Sequence, residues 1–346
     1  MQTIDEDDFE PTPPRRPMFR RKRVLIPLGI IVAIVAAFLL LRTPDTDRDA
    51  MIAKYGGPNV TFAAGPAGQR VHYRDQGNRA GPTIVLVHGA NASLHTWEPL
   101  VKRLGGTYRI VTLDLPGHGL TGSTPDTDYS AEGMIDAIDV VAAKLGLERF
   151  TLGGNSMGGW VAWRYALARP ERIDALLLID AAGMPLRKGE KAPESNVGFR
   201  ILKYPFGRWL ATQITPRMLV EESLRGSVEK QEIVDDAMID RYWELLRFPG
   251  NREATVLRAR MDREPAMAER VGDIAAPTLI LFGDKDRLIN PTAAQTFHER
   301  IAGSEVVLEK GIGHLPMEEA PDETAAAIAD FLKRRLAPPA GNPETN

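Results

Sequence analysis

The sequence predicts an α/β domain on a mostly parallel, doubly wound sheet, with an inserted helical cap and one N-terminal transmembrane helix ahead of it. Three observations carry this. The continuous apolar runs TIVLV (83–87), DALLLI (174–179) and PTLILF (277–282) read as strands buried on both faces. Helical patterns alternate with these strands, as repeated βα units require. Residues 24–41 carry no charge, and their length meets the ~18-residue threshold for a membrane span.

Residues 1–23 form an acidic, Pro-rich tail that ends in Arg15, Arg16, Arg20, Arg21, Lys22 and Arg23. Positive charge before the apolar run places this tail in the cytoplasm and the bulk of the chain on the extracytoplasmic side. Pro27 and Gly29 are tolerated in such a helix. A cleaved signal peptide is the alternative, but its apolar core is normally shorter and no small-x-small site follows Leu41. Residues 42–58 read as a linker. The core begins with a hairpin at 59–63 and 70–75, and its first part runs over 59–183. It holds the 83–87 strand, a short helix at 97–104, a strand at 109–113, an amphipathic helix capped by Ser130, and strands at 150–154 and 174–179. Residues 184–272 are rich in Arg, Glu, Trp and Met, look helical without buried strands, and read as the cap. The core resumes over 273–336 with the 277–282 strand, a helix near 291–301, a strand at 305–308 and a final helix at 319–334. Residues 337–346 are a flexible tail.

The net charge of −3 offers nothing to nucleic acid. The absence of Cys excludes disulfides, thiol nucleophiles and Cys-based metal sites.

The motif richest in chemistry is Gly154-Asn155-Ser156-Met157-Gly158, set between a strand and a helix. The turn in such a nucleophile elbow is so tight that side chains two residues before and after Ser156 would collide, hence the glycines. The N–H of Met157 then faces a developing oxyanion. A serine hydroxyl needs a base, and the base an orienting acid. Of six histidines (His72, His88, His95, His118, His298 and His314), His314 lies in a loop between the last strand and last helix, where α/β sites gather. Asp286 follows the 277–282 strand and is the preferred acid. Asp284, in the same loop, and Asp180, at the end of the preceding strand, remain alternatives. The second oxyanion donor is the N–H of Ala90, in the loop after the 83–87 strand. His88 is expected to hold that loop, and the Asp114–Gly119 turn (DLPGHG) to line the pocket.

In order, HGA, DLPGHG, GNSMGG, FGDKDR and GIGHLP resemble the α/β-hydrolase superfamily over residues 59–336. The resemblance implies the α/β-hydrolase fold, with Ser156 as nucleophile, His314 as base, Asp286 as acid, and Ala90 and Met157 in the oxyanion hole. It implies no metal or organic cofactor. GNSMGG behind a hydrophobic N-terminus is similar to membrane-associated monoacylglycerol lipases and bacterial esterases. The implied substrate is a small-molecule or lipid ester, with the membrane as partner through residues 24–41.

Carbon–carbon hydrolases of ring-fission products are a less similar group. They usually carry Ser-Gly-Pro-Gly where this chain has Ala90-Asn91-Ala92-Ser93, and Trp where it has Leu315. Arg187 would be their carboxylate-binding candidate. A catalytically silent binding protein is disfavoured because all three triad residue types are present. Phe199, Tyr204, Phe206, Trp209, Tyr242, Trp243 and Phe248 in the cap either line an acyl pocket, contact lipid or pack the cap onto the core.

Overall fold

The computed structural model describes residues 18–66, 68–191, 204–261 and 265–336. The chain divides into two units, Met1–Arg42 and Thr43–Asn346. In the first, helix α1 (Met18–Leu41) contains the whole apolar run, with Pro27 inside it. Residues 18–23, expected in the tail, are helical; Arg and Lys are good helix formers and extend the helix outward. Most large apolar side chains between Ile26 and Leu41 are exposed. Among the described residues no helix is long and apolar enough to cross a membrane; the side chains of Val24 and Leu25, which begin the expected span, lie outside them. The tails at 1–17 and 337–346, and Phe199 in the cap, also fall outside the described residues.

The expected linker contains a helix. Helix α2 (Arg48–Tyr55) occupies its middle, capped by Asp47, which accepts a 2.8 Å hydrogen bond from the N–H of Ala50. A polar helix this short has almost no intrinsic stability, so its sequence carries little signal. Tertiary contacts hold it: Met51 packs with Leu120, Leu245 and Phe248, and Lys54 and Tyr55 both bond Glu244 at 2.7 Å.

The remaining core elements are β1 (Thr61–Ala64), β2 (Arg70–Gly77), β3 (Thr83–Val87), α3 (Glu98–Leu104), β4 (Arg109–Leu113), α4 (Ala131–Leu145), β5 (Phe150–Asn155), α5 (Met157–Ala168) and β6 (Ile173–Ile179). An insertion then adds α6 (Pro205–Gln213), α7 (Arg217–Ser227), α8 (Asp236–Leu246) and α9 (Asn251–Arg258). The core resumes with β7 (Thr278–Gly283), α10 (Thr292–Arg300), β8 (Glu305–Glu309), α11 (Pro316–Glu319) and α12 (Pro321–Leu336). Eight strands form one sheet in the order β1-β2-β4-β3-β5-β6-β7-β8. β2 runs antiparallel to β1 and β4, and all other pairs are parallel.

Strand alternation divides the core between the two faces. Val85, Val87, Leu176, Leu178, Ile280 and Phe282 pack with Met134, Val161 and Phe297 from α4, α5 and α10. Ile84, Leu86, Leu177, Ile179, Leu279 and Leu281 pack with Leu100, Ile328 and Phe331 from α3 and α12, and with Val220, Leu224 and Met238 from the insertion. The connections after β3 and β5 leave in opposite directions, so a crevice opens at their carboxyl ends, where open α/β sheets place their sites.

Candidate active site

Ser156 joins β5 to α5 with φ 56° and ψ −117°. A non-glycine residue there is strained by about 1–3 kcal/mol, and the surroundings hold it. Its N–H donates to Ile179 O at 3.1 Å, and its carbonyl accepts from Trp160 and Ala182, both at 3.0 Å. The glycine argument holds at both flanks. A Cβ on Gly154 would lie 2.2 Å from the Gly158 carbonyl oxygen, and one on Gly158 would lie 2.1 Å from that of Val87. Met157 is the first residue of α5, so its N–H has no acceptor within the helix. The loop bearing Ala90 runs against the elbow: a Cβ on Gly89 would sit 3.2 Å from Ser156 Cβ. Among the described residues, three of the four non-glycine residues with positive φ are Asn91, Ser156 and Asp180, in the loops and turns that follow β3, β5 and β6. Backbone strain clusters where function is built.

His314 is buried, and its Nδ1 lies 2.7 Å from Asp286 Oδ2. Asp286 Oδ1 accepts from the N–H groups of Leu288 at 2.7 Å and Ile289 at 3.0 Å. Burial pushes the Asp286 carboxyl up, but His314 and these two N–H donors outweigh it and hold it below the usual range. The backbone couples this pair to the elbow, since Asn155 Nδ2 donates to His314 O at 3.0 Å and to Ile179 O at 3.3 Å. No hydrogen bond among those of the described residues joins the Ser156 hydroxyl to His314. In unliganded sites such bonds often form only with substrate.

The two alternative acids have different fates. Asp284 is half-buried, and its Oδ1 accepts from the Gly311 N–H at 2.7 Å, shaping the loop. Asp180 is fully buried and, with Asp286 and His314, places its ligand-type atom within 4.8 Å of theirs. This is the one His–carboxylate grouping among the described residues tight enough for a cation, but His314 Nδ1 and Asp286 Oδ2 are already committed to each other.

Sequence reasoning missed the residues that hold the His314 loop. The His314 N–H donates to Ser227 O, in the insertion, at 2.7 Å. Glu319 accepts from Gly313 N–H at 2.9 Å through Oε1, and from the N–H groups of Glu229 (2.8 Å) and Lys230 (3.0 Å) through Oε2. One buried carboxylate thus ties the loop to the turn after α7. Its neighbour Glu318 receives Thr96 Oγ1 at 2.6 Å, Tyr242 Oη at 2.8 Å and Arg241 Nη2 at 3.2 Å. Two adjacent acids one residue beyond the GIGHLP run were the available signal.

His88 is fully buried and bridges its own loop to the next. Nδ1 donates to Gly89 O at 2.8 Å, and Nε2 accepts from the Leu115 N–H at 3.0 Å. Burial holds it below the ordinary histidine range, so it stays neutral, as that pairing requires. Arg187 forms an exposed ion pair with Glu299. A cavity of about 100 Å³ opens beside the acid loop, lined by Met184, Pro185, Leu186, Leu288, Ile289 and Ala293 among others.

The sheet order and the strained elbow are those of a hydrolytic enzyme, and comparison with known proteins agrees. The chain is 29% identical over 269 residues to a monoacylglycerol lipase of Xenopus laevis, covering 74% of this chain and 76% of the relative. A solved bacterial membrane phospholipase A superposes with a TM-score of 0.68 at 26% identity, covering 92% of this chain and all of that one. A meta-cleavage product hydrolase of Pseudomonas fluorescens gives 0.67 at 22% identity, covering 80% and 97%, a likeness of fold. The chain belongs to the alpha/beta hydrolase family, whose model matches residues 84–327.

Proposed function

We propose that this hydrolase cleaves carboxylic esters with apolar acyl groups through a Ser156–His314–Asp286 triad. The observation that carries the reading is the 2.7 Å Asp286–His314 bond together with the Asn155 bridge from the elbow to the His314 carbonyl. Nδ1 is spent on Asp286, which leaves Nε2 to take the Ser156 proton. Ser156 then attacks the acyl carbonyl, and the oxyanion rests on the N–H groups of Ala90 and Met157. His314 protonates the leaving alcohol, and water repeats the sequence on the acyl-enzyme. The likeness to a monoacylglycerol lipase and a membrane phospholipase supports an apolar acyl substrate.

Residues 24–41 serve as a membrane anchor on this reading, with residues 1–23 cytoplasmic and the catalytic unit across the membrane. The support is the uncharged run, its exposed side chains in α1 and the basic cluster before it. Removing residues 1–42 should release an active enzyme from the membrane fraction; an enzyme that sediments unchanged overturns the anchor.

The test of the activity is hydrolysis of p-nitrophenyl esters from acetate to palmitate, beside monoacylglycerol and a ring-fission dienol. Turnover that rises beyond acetate and vanishes in Ser156→Ala supports the reading. Strict preference for acetate removes the apolar acyl assignment, and fast dienol cleavage with weak ester turnover moves the protein to carbon–carbon hydrolysis. That outcome would need a cation other than Arg187, which Glu299 already engages.

A further inference from the structure

Asp180 ends β6 as one of the most enclosed polar residues in the molecule, with no exposed surface. Its backbone is left-handed, φ 43°, and pinned by a 2.8 Å bond from its N–H to Leu281 O. Oδ1 accepts one hydrogen bond, from the Gly283 N–H at 3.0 Å. Oδ2 is buried and has no partner. An ionised carboxylate in that state would be a large uncompensated cost.

Asp286 and His314 lie within the same 4.8 Å grouping. Two carboxylates so close cannot both ionise, and the proton goes to the one with fewer donors. Asp286 has three: His314 Nδ1 and the N–H groups of Leu288 and Ile289. Asp180 has one. Burial first, then the charge of Asp286, pushes the Asp180 carboxyl well above its usual range. The other ionisable group felt there, Glu309, is also acidic and pushes the same way.

We propose that Asp180 is a neutral carboxylic acid whose Oδ2 proton is directed at Asp286, so that the acid of the triad is a carboxyl pair sharing one proton. This rests on the Asp286–His314 reading above and deepens it. Asp180 acts through Asp286 and is a positioning residue. Its O–H steadies the Asp286 carboxylate and keeps a second negative charge away from His314, which lets His314 give its proton to the leaving alcohol. Asp180 is also placed to ionise once Asp286 is removed, because the charge that suppresses it is then gone.

Asp180→Asn keeps the volume, the acceptor for Gly283 and a donor toward Asp286. The test compares wild type and this variant by infrared difference spectroscopy near neutral pH and by the pH profile of kcat/KM. The expected result is loss of one protonated-carboxyl carbonyl band with the acid limb unmoved. An ionised Asp180 gives the opposite: no such band is lost, and removing a charge beside His314 lowers the acid limb by about one unit or more. That result overturns the proposal.

A second comparison uses Asp286→Ala. Losing a triad acid normally costs roughly 10⁴-fold in kcat. Here the loss should be smaller, and adding Asp180→Asn should restore it in full; equal losses in the single and double variants count against the pair. The infrared band does not depend on catalysis, so it tests the proton on Asp180 even if His314→Ala proves active and the triad reading itself fails.

Discussion

Asp286 and His314 have a counterpart elsewhere in the same molecule. Asp114, after β4, and His72, in β2, are also buried, and their Nδ1 and Oδ2 atoms are also 2.7 Å apart. Asp114 is closed in on every side. Oδ1 accepts from the Leu94 N–H at 2.7 Å, and Oδ2 accepts from the Leu120 N–H at 2.8 Å. Burial pushes this carboxyl up, but the His72 hydrogen bond and the histidines His72, His88 and His95 outweigh it and hold it far below the usual range. His72 Nε2 is sealed off without a partner. The pair ties the loop after β3 to the turn after β4. The Asp286 pair instead hangs the His314 carbonyl on the side chain of Asn155, the residue before Ser156, and in the proposed mechanism it leaves Nε2 for chemistry. A short Asp–His bond therefore identifies no active site by itself. On the proposed reading, what decides is the group that the far ring nitrogen serves: the Ser156 hydroxyl for His314, none for His72, whose Nε2 is sealed in the interior.

The contrast can be broken by mutation. Ser156→Ala and His314→Ala should each lower kcat about 10⁶-fold, close to 8 kcal/mol of barrier, with little change in Tm; steady-state turnover and calorimetry read both. Asp114→Ala should invert this pattern. It leaves a buried histidine and two loop N–H groups unpaired, which costs about 3–5 kcal/mol of stability, while the folded fraction still reacts with a fluorophosphonate probe. A normal denaturation midpoint in Asp114→Ala would erase the distinction between the two pairs.

Smaller effects sharpen it. Glu319→Ala frees the His314 loop from the turn after α7, and a displacement of about 1 Å at the base costs about 10²-fold in kcat. An unchanged kcat would show that the Ser227 bond alone holds the loop. The smallest effect concerns pH and stability. Asp180 has a folded-state pKa above its unfolded value, so the folded state holds the extra proton, and wild-type stability falls as pH rises above the ordinary carboxylate range. Asp180→Asn removes that slope. Between about pH 5 and about pH 8 the stability difference should therefore move in favour of the variant; denaturant titrations at both pH values check it.

The strands were legible because each buried strand is a short apolar run bounded by turn signals: β3 and β4 fall where the sequence places them, and β6 and β7 to within a residue at each end. Ser156 was legible for a steric reason, since only glycine fits on either side of it. Helix α2 was not, because its stability comes from Met51 and Glu244 contacts and not from its own composition. Nor was Ser227, which reaches His314 through a backbone carbonyl that any residue would offer, nor the role of Glu319, whose carboxylate meets the Gly313 N–H only once the turn after α7 is brought beside the loop. Asp180 was recognised as a candidate acid, but its sequence position after β6 says nothing about its proton.

By itself, then, the sequence determined the order of strands and helices, the elbow around Ser156 and a short set of residues able to act as base and acid. Those are properties of local sterics and of hydrophobic period, which a chain carries before it folds. The tertiary structure decided which aspartate bonds His314, which histidine is sealed away with Asp114, and how many donors each carboxylate receives. Burial and proximity set those outcomes, and both exist only once β6, β7 and the loops after β7 and β8 have been brought side by side.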